Sequence, residues 1–141
     1  MSNTNVNYTV AQLLLEKGYD ERCRSFYKDW DDKVELYDCD RGQMFDYCYN
    51  TMLLREYTFE DEKNIAAPIQ QNVIVWLRKN HNILVWYQPW EEHLKEGKWP
   101  LWNYYIKVPG KKVISSDGYG YFTTPELAIN SALERILREF I

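Results

Sequence analysis

The strongest constraint on this chain lies in its second half, where two apolar helical stripes bracket three strand-like aromatic segments. Ile69, Val73, Trp76 and Leu77 recur at i, i+4, i+7 and i+8, which places them on one helical face. Pro68 suits the first turn of that helix, where a missing N–H is harmless, and Asn80 suits its end. Residues 83–88 are β-branched and aromatic, as a strand requires, and Pro89 closes the segment. Trp102, Tyr104, Ile106 and Val108 then alternate with Leu101, Asn103, Tyr105 and Lys107, the period of a half-buried strand. Pro109-Gly110 predicts a turn that brings residues 111–115 back antiparallel, and Asp117-Gly118 predicts a second turn or bulge before residues 119–122. Thr123 with Glu126 forms a capping-box pattern ahead of Ile129, Ala132, Leu133, Ile136 and Phe140. Two helices with one apolar face each, and strands with one apolar face, bury those faces against one another. The expectation is an α+β fold, helix-β-β-β-helix, with a three-stranded antiparallel sheet packed on helices.

The first half is less periodic. Thr9 and Gln12 predict a capping box for a short helix carrying Val10, Leu13 and Leu14, stopped by Gly18. Asp20 is a candidate cap for a brief helical turn through Cys23, Phe26 and Tyr27. Residues 33–38 alternate as a strand, and Asp40-Arg41-Gly42 reads as a turn. From Gln43 to Tyr57 a helical stripe (Met44, Tyr47, Cys48, Leu54) competes with a strand reading. The charged run 60–64 predicts a linker. The 141 residues therefore read as a single α+β domain, with an acidic, irregular segment bearing a helix over 1–64 and the helix-β-β-β-helix core over 65–141.

Charge is distributed unevenly between these parts. Residues 1–64 hold 8 basic and 14 acidic side chains, net −6, and residues 65–141 hold 9 and 7, net +2. The order of elements in the second half matches that of a double-stranded-RNA-binding domain, which needs cations at the start of its last helix to meet phosphates. Here that turn is Thr124-Pro125-Glu126-Leu127, so recognition of double-stranded RNA is not expected. Single-stranded nucleic acid is the open alternative: Trp86, Trp99, Trp102, Tyr104 and Tyr105 offer stacking surfaces, and Lys107, Lys111 and Lys112 offer positive charge. The competing reading of the same residues, preferred here, is core on one side and a protein or subunit contact on the other.

No motif assigns a reaction. Cys23, Cys39, Cys48, His81 and His93 lack the spacing of a metal knuckle, and neither a nucleophile elbow nor a phosphate-binding glycine loop occurs. A small enzyme with a site near His93, where Glu91-Glu92-His93 forms a possible base cluster, is kept as a second alternative. No metal and no cofactor are expected. An odd number of cysteines, no basic-apolar leader and no run of about eighteen apolar residues predict a cytoplasmic protein with free thiols.

Three segments resemble a group of small uncharacterised proteins encoded by bacteriophages and prophages, common in Bacteroidetes. They are Val10 to Glu21; Ala67-Pro68-Ile69-Gln70-Gln71 with Trp76-Leu77-Arg78, His81 and Ile83; and Gly120-Tyr121-Phe122 with Glu126 and Ala128. The chain departs from that group by a longer, tryptophan-rich insertion around Pro89 to Trp102. The resemblance implies an α+β fold, a phage-like origin and a bacterial host cytoplasm, and it brings no activity or site residues. The expected function is that of a non-enzymatic accessory protein that binds protein, with a homodimer as the expected form.

Overall fold

Leu13, Leu14 and their neighbours close into the first helix, α1 (Tyr8–Glu16), in a computed structural model that describes residues 4–39, 46–56, 62–118 and 121–141. The chain divides into two compact units, residues 3–69 and 70–141.

In the first unit, α1 buries Val10, Ala11, Leu13 and Leu14. Its cap is Asn7 rather than Thr9: Asn7 is extended, and its Oδ1 accepts the Val10 N–H at 2.9 Å. Thr9 lies inside the helix, so the Thr9–Gln12 pattern is not used as a box. Gly18 ends the helix with φ +83°, while the Tyr19 N–H reaches the Leu14 carbonyl and the Gly18 N–H reaches that of Leu15. These two bonds form a Schellman closure. Open space surrounds the position where a Gly18 side chain would stand. Gly18→Ala is therefore expected to act through the backbone alone, destabilising the protein by about 1 kcal/mol as read from the urea midpoint.

The segment expected to form a helical turn after Asp20 is instead a strand, β1 (Ser25–Trp30). It pairs antiparallel with β2 (Lys33–Asp38) on one side and β3 (Lys63–Ala66) on the other. Asp31 and Asp32, with φ 50° and 60°, supply the left-handed pair that a two-residue hairpin needs to match strand twist. Asp20 does cap a helix, but a distant one: its carboxylate accepts the Thr51 N–H and hydroxyl at the start of α2 (Asn50–Glu56). That helix resolves the ambiguity of the 43–57 stretch over residues 50–56. The linker expectation is corrected too. Lys63 to Ala66 is the strand β3, with Asn64, Ile65 and Ala66 buried, because Ile65 and Ala66 supply core surface that the preceding charges obscure. Residues 60 and 61, the 40–42 turn, and residues 43–45 and 57 lie outside the described residues.

In the second unit, α3 (Gln70–His81) buries Val73, Trp76 and Leu77 as the stripe predicts. Pro68 precedes the helix rather than opening it. The stop is Asn82, at φ 54°, whereas Asn80 stays helical and donates its Nδ2 to the Trp76 carbonyl. The sheet runs β4 (Leu84–Pro89), β5 (Trp102–Lys107), β6 (Ile114–Ser115), all antiparallel. The excursion between β4 and β5 contains a short helix, α4 (Glu91–Lys95). The last helix, α5 (Pro125–Glu139), is capped by Thr124, not Thr123, through the Leu127 N–H, with Pro125 in its first turn. It buries Ala128, Ile129, Ala132, Leu133, Ile136 and Leu137, and with α3 it covers one face of the sheet. On that covered face, Val85 and Ile106 form a cross-strand pair beside Tyr104. The architecture is α+β, with helices packed on two three-stranded antiparallel sheets.

Candidate functional site

The register of β4 and β5 divides the aromatic candidates between the two faces of their sheet. Trp86 and Tyr105 are directly paired on the uncovered face, their rings stacked at 5.6 Å. Lys107 shares that face, and its ammonium donates to the Lys111 carbonyl. Trp102 and Tyr104 lie on the helix-covered face. Trp102 meets Tyr87 edge-on and exchanges backbone hydrogen bonds with Phe122, and the Tyr104 hydroxyl accepts from Arg135. Trp99 stands in the loop before β5 with 82% of its surface exposed. The Lys111 ammonium sits 5.0 Å from the Phe140 ring centre, and Lys112 is exposed beside it. The eight candidates thus do not form one surface: only Trp86, Tyr105 and Lys107 are brought together on the open face.

A cleft of about 470 Å³ borders that face, with Trp90, Tyr105 and Tyr121 as its aromatic walls and Glu91, Glu92 and Asp117 as its charged ones. Each charged lining group is a carboxylate, a composition that repels phosphate and so opposes a nucleic-acid path here. Trp90 is clasped between His93, 4.9 Å away, and Tyr121, 4.1 Å away, with both pairs stacked. Sequence reasoning missed Trp90 and Tyr121, because their meeting depends on how α4 and the chain after β6 return to the same strand end. His93 is half-buried, and its Nδ1 is shielded from solvent without a hydrogen-bond partner among the described residues.

Cys23, Cys39 and Cys48 converge in the first unit, all buried and not joined by a disulfide. Cys23 and Cys48 exchange backbone hydrogen bonds of 2.8 Å. Burial above all, then the neighbouring Cys39 and the carboxylates of Glu21 and Asp20, pushes the Cys23 thiol up to about 12. Burial and Cys39 likewise raise Cys48. Thiols held in the protonated form are poor nucleophiles and poor metal ligands at neutral pH. Among the described residues no group of three His, Cys, Asp or Glu side chains is placed to hold a metal ion, and no helix is long and apolar enough to cross a membrane.

The remaining feature is an edge. In the first sheet β3 has its outer side engaged, since the Ala66 N–H donates to Asn50 Oδ1 at 2.8 Å. On the opposite side, β2 is the sheet's outer strand, hydrogen-bonded to β1 and to no other described strand. Five of its six residues are exposed, including Val34 and Leu36 at 45% each. An exposed edge strand with apolar side chains is a template for another strand. Comparison with models of known protein families, with curated proteins and with solved structures found no match.

Proposed function

We propose that the protein is a non-enzymatic protein-binding module that associates with itself, acting as a phage-like accessory protein in the cytoplasm of a bacterial host. The observation that carries the reading is β2, the outer strand of its sheet among the described strands, with Val34 and Leu36 exposed. Strand addition at such an edge buries apolar side chains of this kind. Single-strand nucleic-acid binding draws less support, because the acidic cleft adjoins the Trp86–Tyr105 stack. An enzyme at His93 draws less as well, since its ring is committed to stacking on Trp90. The phage-like origin rests on the order of the three sequence segments described above, and a gene position among phage replication or packaging functions would support it.

Self-association is tested by light scattering over a wide concentration range. The expected mass rises from the 17.1 kDa of one chain toward twice that value. A mass constant at one chain throughout overturns the proposal.

A further inference from the structure

We propose that the cleft beside the second sheet binds a guanidinium group carried near a carbonyl oxygen, as in an arginine residue of a peptide. The site is independent of the self-association proposed above. Its floor is Asn103, which lines the cleft yet is 2% exposed. The Ser116 hydroxyl accepts the Tyr104 N–H and donates to Asn103 Oδ1, each at 3.1 Å. A hydroxyl has one proton to give, so this chain of bonds turns the amide oxygen to Ser116 and leaves Nδ2 to the cleft. Among the described residues Nδ2 has no hydrogen-bond partner, and it is not sealed from solvent. A donor held in a nearly buried side chain in this way favours a ligand that brings a carbonyl oxygen.

The walls select the other end of the ligand. Glu91, Glu92 and Asp117 are exposed, and their carboxylates have no ion-pair or hydrogen-bond partner among the described residues. They are not placed to close on a metal ion, so the cation that answers them must spread its donors. A quaternary ammonium has no donors to offer, and a lysine ammonium is a compact, strongly hydrated point charge. A guanidinium is planar, gives up water more readily and carries a fork of N–H donors along its edge. Its flat face suits the aromatic wall. The stack of His93, Trp90 and Tyr121 covers both faces of Trp90 and ends at Tyr121, which lines the cleft and is 38% exposed. A guanidinium laid against that ring gains a cation–π contact while its edge meets carboxylates.

The test titrates the full, 15N-labelled chain with N-acetyl-L-arginine amide and follows the Asn103 side-chain amide and the Trp90 indole by NMR. Both signals are expected to shift saturably, and the binding is expected to weaken as salt is added. The capped lysine counterpart is expected to bind about threefold more weakly or worse. A chain carrying Glu91→Gln, Glu92→Gln and Asp117→Asn, its circular dichroism unchanged, is expected to lose about tenfold or more in affinity. Glu16→Gln, an exposed carboxylate of the first unit, is expected to leave binding unchanged. Free arginine separates the sources: its own carboxylate is repelled by the cleft, so it is expected to bind more weakly than the capped residue. Equal or tighter binding of free arginine overturns the peptide as source. No saturable shift with capped arginine, equal binding of capped lysine, or undiminished binding by the triple variant each overturns the site. None of these outcomes bears on the chain mass that tests self-association.

Discussion

Asn50→Ala is expected to lower stability by about 2–5 kcal/mol, measured by urea unfolding. Asn50 is 2% exposed and uses both ends of its amide. Its Nδ2 donates to the Tyr19 carbonyl at 2.8 Å, and its Oδ1 accepts the Ala66 N–H at 2.8 Å. One side chain thereby ties the end of α1, the start of α2 and the edge of β3. Truncation takes the Asn50 partner away from a buried carbonyl and a buried N–H, and losing a partner in a buried site costs about 1–3 kcal/mol each. Asn50→Asp is expected to fail as a rescue, because it keeps the acceptor, loses the donor and introduces a charge where water is excluded. A loss below about 1 kcal/mol for the alanine variant would show that water reaches both groups once the amide is gone.

Ile106→Ala is the second large effect, expected at about 2–5 kcal/mol. Ile106 is fully buried in the central strand of its sheet, paired with Val85 on one side and Ile114 on the other, beneath α5. Removing three carbons there loses their transfer energy and leaves a void that strands fixed on both sides cannot close. The next residue gives the contrast. Lys107→Ala, on the opposite face, is expected to change stability by no more than about 0.5 kcal/mol. Urea unfolding of the two variants side by side checks the assignment of faces, since a one-residue slip in register would exchange their effects.

The second half was legible because its core residues keep one period for long enough. The stripe of α5 and the alternation of β5 each place side chains on a face without help from distant residues. Caps were legible only to within a residue or two: Thr123-x-x-Glu126 and Thr9-x-x-Gln12 fit the pattern, yet Thr124 and Asn7 have the extended backbone that accepts the bond. The strands β1 and β3 were hidden for a different reason. Phe26 is buried and Tyr27 is half-buried on opposite faces of β1, so no clean alternation results, and β3 follows a charged run. Their pairing joins Phe26 to Ala66 across forty residues, an interaction that local propensity does not encode. The face-by-face sorting of Trp86 from Trp102 needed the β4–β5 register. The outer place of β2 among the described strands needed the whole strand order, because alternation in 33–38 is the same for an inner strand and an outer one.

The cluster of Cys23, Cys39 and Cys48 has a practical consequence. Three thiols sealed in one unit form a built-in clock for its opening: an alkylating reagent in solution reaches them only as fast as the surrounding structure parts. Counting modified thiols by mass against time would then report the opening of the native chain without a dye or a denaturant. Burial holds the Cys23 and Cys48 thiols protonated in the folded state below the alkaline range, so what the clock records at those two is access.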